Sequence, residues 1–203
     1  MKPEEYFVER DPQAFPIWQK AVVGIAGAGG LGSNIANLLA RAGIGTIIIA
    51  DFDVVSVSNL NRQAFSLAQV GHSKVQALKD NILQFNPFID LQIHQVRLDP
   101  QNIPQIFGGV DIMLEALDRD EAKAMLVDTW LQSYPDKPLI VASGLAGYGN
   151  SDLIRQESCG NLHIIGDQQT QLSPGVAPIA PRVVLVAAWQ ANLCLELMVK
   201  NGK

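Results

Sequence analysis

The stretch Gly27–Ser33, GAGGLGS, constrains this chain more than any other, because it stands between an apolar run, Ala21–Gly27, and a segment of helical period, Leu31–Ala42. Gly27, Gly29 and Gly32 satisfy G-x-G-x-x-G at the passage from strand to helix, where missing side chains let backbone N–H groups approach a phosphate at the positive helix end. A second apolar run, Thr46–Asp51, ends in Asp51, about 20 residues on, the spacing at which a carboxylate meets a ribose hydroxyl. The unit predicts parallel strands joined by a crossover helix, with a nucleotide at their C-terminal edge. It does not distinguish a dinucleotide from ATP, and the bland alternative is glycines for tight helix packing with Asp51 as a loop polar group.

Apolar runs rich in Val and Ile go on alternating with helical segments, the pattern of a doubly wound sheet. The expected order is a short helical piece at Leu60–Phe65, a helix at His72–Phe85 stopped by Asn86-Pro87, and a strand near Leu91–Leu98. A short helix around Gln101–Phe107, a strand at Val110–Leu117, a helix at Glu121–Ser133 and a buried strand opening into glycines at Leu139–Gly147 follow. After Gly149 the rhythm is lost. Leu162–Ile165 reads as a lone strand, Asp167–Pro178 as a mobile loop, and Pro181–Val199 as a final helix with proline near its start and Gly202 after its end. The class is α/β: a Rossmann-like doubly wound, mostly parallel sheet with a small antiparallel C-terminal extension. At 203 residues, 48% of them hydrophobic, the chain fits one domain over 1–203, with an N-terminal arm at 1–19 and an irregular segment and loop at 150–180.

A formal net charge of −5 without a basic run points away from nucleic acid and anionic membranes as partners. Met1–Arg10 lacks the pattern of a signal peptide. The most apolar run, Val183–Val199, is interrupted by Gln190, Asn192 and Glu196 and falls short of the roughly 20 residues of a bilayer span, so it reads as a buried amphipathic helix. Cys159 and Cys194 are too few for a disulfide framework or a four-cysteine zinc site; a reducing, cytoplasmic setting is expected.

Past the acids Asp51 and Asp53 comes a dense polar cluster, Ser58, Asn59, Asn61, Arg62 and Gln63, for which hydride transfer has no evident need. A triphosphate does need it, because moving charge between phosphate oxygens calls for fixed cations and donors. Lys74 adds a second cation, and Asp118, at the end of the Val110–Leu117 strand, is placed to hold Mg²⁺ through one carboxylate plus phosphate oxygens. The plainer alternative makes Arg62 and Lys74 solvated surface charges and Asp118 the N-cap of the next helix.

These residues carry a resemblance to the ubiquitin-activating-type adenylyltransferases of the ThiF/MoeB group. GAGGLGS, Arg41–Gln63, GHSKV at Gly71–Val75, Asn86-Pro87, Leu117-Asp118, Ala180–Val183 and Gln190–Asn192 all match, from about Lys20 to the C-terminus. The zinc-less form with GLAGYGNSDLI and IIGD is most similar to short ThiF proteins that adenylate a thiamine-pathway sulfur carrier. The resemblance implies attack of a carrier's C-terminal glycine carboxylate on the α-phosphate of ATP, giving an acyl-adenylate and pyrophosphate. It implies Gly27, Gly29, Gly30 and Gly32 in the phosphate loop and Asp51 on the ribose, with Asp53 beside it in the nucleotide site. Asn59, Arg62, Gln63 and Lys74 would meet phosphates, Asp118 would hold Mg²⁺, and Arg62, Lys74 and Asp118 form the catalytic set. The implied partners are a ubiquitin-like sulfur carrier ending in Gly-Gly and a second copy of the chain in a homodimer.

The chain departs from the group in three places. It lacks the two CxxC pairs of zinc-bearing members, so no zinc is expected; Arg119 follows Asp118 where Asn is common; and Arg10, the candidate to reach across a dimer, lies closer to Gly27 than usual. Cys159, in the RQESCGN loop, reads as an incidental thiol, Cys194 as core, and His72, His94 and His163 as surface or hydrogen-bonded residues. Trp18, Trp130 and Trp189 read as packing groups. The competing functions are an NAD-dependent oxidoreductase, resting on the glycine loop and Asp51, and a non-catalytic binding module, against which Arg62, Lys74 and Asp118 argue.

Overall fold

The computed structural model describes residues 2–170 and 176–201. Two short helices, α1 (Pro3–Tyr6) and α2 (Phe15–Trp18), precede β1 (Val22–Ala26), α3 (Gly30–Ala42), β2 (Thr46–Ala50), α4 (Lys74–Leu83) and β3 (Asp90–His94). Then come α5 (Asn102–Phe107), β4 (Ile112–Glu115), α6 (Asp120–Ser133), β5 (Leu139–Ala142), β6 (Arg155–Cys159), β7 (Leu162–Gly166) and α7 (Ala180–Asn201). The strands form one sheet in the order β3-β2-β1-β4-β5-β7-β6, parallel except for β6 against β7. The expected fold class therefore holds, antiparallel extension included.

Period-two alternation sorts the strand residues between two cores. Val23, Ile25, Ile47, Ile49, Ile112, Leu114 and Ile140 face α3, α4 and α7, where Ile35, Leu39, Leu78, Ile82 and Val186 meet them. Ile48, Met113, Leu139 and Val141 face α5 and α6, against Ile103, Phe107, Leu126 and Trp130. With both faces covered, the central strands β1, β2, β4 and β5 read as nearly continuous apolar runs, whereas the edge strand β3 alternates. The order reverses at β1, since β2 and β3 extend to one side of it and β4 and β5 to the other. That reversal opens a crevice above the C-terminal ends of β1 and β4, where open α/β sheets bind ligands.

Four expectations are corrected. Leu60–Phe65 is not a helix: a single 3-10 turn, Val57–Asn59, comes earlier, because Ser56 N–H donates to Asn59 Oδ1 (3.0 Å) and these short polar side chains satisfy the backbone locally, leaving 60–65 in turns. The RQESC segment is not loop but strand β6, so Leu162–Ile165 is not alone; its Arg155–Cys159 side chains are all exposed and give no apolar alternation. The strand expected near Leu91–Leu98 is only Asp90–His94. Finally, α7 runs 22 residues and is, among the described residues, the one helix long and apolar enough to cross a bilayer. It nevertheless packs along α3 and the sheet, with Val183, Val186, Ala187, Leu193 and Cys194 buried. The expected mobile loop has its central residues 171–175, and the expected terminator Gly202, outside the described residues.

Candidate active site

The floor of the site is bare backbone. Gly27 N–H donates to Ala50 O (2.8 Å), and at φ +101° a Cβ on Gly27 would stand 2.6 Å from Ala116 O. A Cβ on Gly32 would collide with the Gly27 carbonyl, so the first turn of α3 lies directly on the end of β1. α3 thus starts at Gly30 with its free N–H groups facing the crevice.

The SNLNRQ segment wraps over this floor. A Cβ on Gly30 would meet the Arg62 stem at 3.6 Å and Val183 Cγ1 at 3.2 Å; one on Gly29 would come 3.9 Å from Gln63 Nε2. Ser33 Oγ donates to Gly29 O (2.7 Å) and accepts from Ala64 N–H (3.1 Å), while Asn34 Nδ2 donates to Gly30 O and Arg62 O. These bonds hold Arg62 and Gln63 against the loop. The Arg62 guanidinium donates to Ser58 O (3.2 Å) and Asn61 Oδ1 (2.8 Å). Asn59 spends its side-chain oxygen on Ser56 N–H and keeps its amide N–H groups.

Asp51 stands at the end of β2, with Oδ2 accepting from Ala28 N–H (2.7 Å) and Oδ1 from Asp53 N–H (2.8 Å). It therefore organises the glycine loop as well as facing the crevice. Lys74 is not the solvated charge of the plainer reading: it is buried and donates to Asp53 Oδ2 (2.8 Å). Asp118 lies exposed beyond β4, two residues after the Ala116 carbonyl that abuts Gly27. Arg119, and not Asp118, takes the N-cap position of α6, without a side-chain capping bond.

Two residues of this edge carry no sequence signal and were not anticipated. Glu115, fully buried at the end of β4, forms an ion pair with Lys123 of α6 and accepts from Leu117 N–H (2.7 Å) through Oε1. Burial pushes the Glu115 carboxyl above its ordinary value, and Lys123 opposes that shift. Lys123 Nζ also donates to Ala142 O (2.9 Å), and Gln190 Nε2 of α7 donates to Glu115 O (3.4 Å).

A second buried pair closes the C-terminal side. Asp167 accepts from Arg182 through Oδ2, and from Gln169 N–H (2.9 Å), Thr170 N–H (2.8 Å) and Thr170 Oγ1 (3.1 Å) through Oδ1. Arg182 also donates to Gly149 O, and Gly147 N–H to Ala177 O (3.0 Å). The described ends of the Asp167–Pro178 segment are thereby strapped to the loop after β5.

The remaining candidates lie elsewhere. Cys159 is exposed at the end of β6, and burial pushes the Cys194 thiol up, as fits a core residue. His163 Nδ1 bonds Ser158 Oγ (2.7 Å), and burial lowers its basicity. Trp130 is core, while Trp18 and Trp189 donate to Leu195 O and Gln156 Oε1 (both 3.2 Å). Arg10 leans on its own Tyr6 and Phe7 rings at 5.8 and 5.6 Å, in an arm packed against Gly43 at the far end of α3.

This donor set fits a nucleoside triphosphate. The floor at Gly27 and Gly32 admits no Cβ, Gly30 lies close under the Arg62 stem and Val183, and the Gln63 amide nitrogen stands beside Gly29 as a donor. For a cation the fit is Asp118 completed by phosphate oxygens, the usual manner of Mg²⁺; no group of three or more His, Cys, Asp or Glu suited to a metal exists among the described residues.

The ThiF family matches residues 15–203. A probable adenylyltransferase/sulfurtransferase MoeZ of Mycobacterium tuberculosis is 42% identical over 111 residues, 54% of this chain and 28% of that protein. The adenylyltransferase and sulfurtransferase UBA4 of Candida glabrata is 35% identical over 143 residues, 70% of this chain and 33% of that protein. The chain thus spans about a third or less of these relatives' length. In fold it is similar to the E. coli tRNA N6-threonylcarbamoyladenosine dehydratase TcdA, solved with AMP, at a TM-score of 0.86, 22% identity, and 98% and 94% of the two chains. E. coli MccB, solved with ATP, gives 0.73 at 23% identity over 93% of this chain and 58% of that one.

Proposed function

Because the chain belongs to the ThiF family, we propose that it is an ATP-dependent adenylyltransferase that activates the C-terminal glycine carboxylate of a small ubiquitin-like sulfur carrier of the thiamine-pathway type, acting as a homodimer in the cytoplasm. The observation that carries this reading is the packing of Arg62 and Gln63 onto Gly29 and Gly30, which puts a cation and an amide over a bare phosphate floor. Asp51 takes the ribose, and Arg62, Lys74, Asn59 and Gln63 receive phosphate oxygens. Lys74, held by Asp53 in the protein alone, turns to the triphosphate when it arrives. A carboxylate oxygen of the carrier attacks the α-phosphorus, the bond to the bridging oxygen of the β-phosphate breaks, and pyrophosphate leaves with the electron pair. No general base is needed, since the attacking carboxylate is ionised at neutral pH; positioning and charge neutralisation supply the acceleration. Asp118 would hold Mg²⁺ together with phosphate oxygens, and the ion would supply neutralisation of the charge on the pyrophosphate.

The test is ATP–pyrophosphate exchange with carriers ending in Gly-Gly, read with mass spectrometry of the adenylylated carrier. Arg62→Ala is expected to cut exchange by about 10²–10³-fold with the fold intact. Exchange with no carrier, or binding of NAD in place of ATP, would overturn the proposal. A modified nucleoside of tRNA is the other carboxylate class to assay, and the net charge of −5 argues for a protein carrier over a polyanion.

A further inference from the structure

We infer that Glu115 and Lys123 are positioning residues for the Asp118 carboxylate. Glu115 Oε1 folds back on Leu117 N–H (2.7 Å), fixing the turn that carries Asp118 out of β4. Lys123 seizes the other carboxylate oxygen and ties it to Ala142 O of β5, while Gln190 of α7 grips the Glu115 carbonyl. Three elements thus converge on a turn whose next exposed acid, Asp118, makes no side-chain bond of its own among the described residues. On the other side of that turn Ala116 N–H donates to Ala26 O (2.9 Å), and its carbonyl abuts Gly27. The Asp118 turn and the phosphate floor therefore share one rigid wall.

A buried ion pair seldom stabilises a fold more than apolar side chains of like volume. A purely structural pair could then be replaced by an apolar one without loss, whereas a pair that aims a metal ligand could not. This inference rests on the Mg²⁺ role proposed for Asp118, but not on the identity of the carrier.

The experiment compares Glu115→Leu/Lys123→Met and Glu115→Gln with the wild type in thermal unfolding and in ATP titrations with and without Mg²⁺. The apolar pair is expected to melt near the wild type, bind metal-free ATP equally well, and lose about tenfold or more of the Mg²⁺-dependent gain in ATP affinity. Glu115→Gln, whose amide oxygen still accepts from Leu117 N–H but which loses the Lys123 ion pair, is expected to keep part of that gain, between the wild type and the apolar pair; should the apolar pair fail to fold, Glu115→Gln against Glu115→Met gives the same contrast. In exchange assays kcat is expected to fall with the KM for carrier unchanged. An apolar variant that keeps the full Mg²⁺-dependent gain, or a wild type showing none, overturns the inference. Loss of exchange with every carrier while the gain persists overturns the proposed reaction alone.

Discussion

Asp51 organises the glycine loop with its carboxylate, and that role can be separated from the ribose contact proposed for it. Its two oxygens satisfy the N–H groups of Ala28 and Asp53, each a charge-assisted bond of about 1.5–3 kcal/mol, before any ribose arrives. Asp51→Asn keeps one acceptor oxygen and Asp51→Ala none. Stability in urea is expected to fall in the order wild type, Asn, Ala, with ATP affinity falling in both variants; an Ala variant as stable as the wild type would remove the loop-organising role. Gly32→Ala should act differently, because its methyl group would strike the Gly27 carbonyl and lift α3 off β1, so ATP binding is expected to vanish by calorimetry. Gly27, Gly32 and Asp51 were legible in the sequence because their spacing records a local backbone demand. Glu115 and Lys123 were not, since a carboxylate at a strand end and a lysine in a charged helix look like any surface pair until the turn between them closes.

At the scale of elements, the clearest case is the strap between β7 and α7. Burial raises the Asp167 carboxyl, but the N–H groups of Thr170 and Gln169, the Thr170 hydroxyl and Arg182 outweigh it and hold Asp167 below its ordinary value. A carboxyl held lower in the folded state adds stability that is complete above its unfolded pKa, about 3.9, and is lost as pH falls through the lower folded value. Asp167→Asn leaves Arg182 buried and uncompensated, so a loss of about 3–5 kcal/mol is expected at pH 7. The gap to the wild type should narrow below about pH 4; a constant gap in acid would show that Asp167 is not the titrating group. The central parallel strands could be read from sequence because burial on both faces demands apolar residues nearly throughout. Strand β6 could not, because its exposed Arg155–Cys159 side chains touch no core and its place is set by backbone pairing with β7.

For the whole molecule, the position of the N-terminal arm decides what Arg10 can reach. The arm packs where α3 ends: Gln19 Nε2 donates to Gly43 O (2.7 Å), and Gly45 N–H to Trp18 O (3.0 Å). The phosphate floor lies where α3 begins, at the opposite edge of the sheet. Arg10 therefore stands a helix length from its own chain's site, about 20 Å at 1.5 Å per residue, and the homodimer proposed above is what would bring it to a partner's phosphate. In a symmetric homodimer, mixing inactive Arg10→Ala with inactive Arg62→Ala forms hybrids in which one site keeps its own Arg62 and receives an intact Arg10. An equimolar mixture, with subunits exchanged, is then expected to recover about a quarter of the wild-type exchange rate, because half the dimers are hybrids with one working site each. A mixture no more active than its parents, in a protein shown by light scattering to be dimeric, would confine Arg10 to stacking on Tyr6 and Phe7.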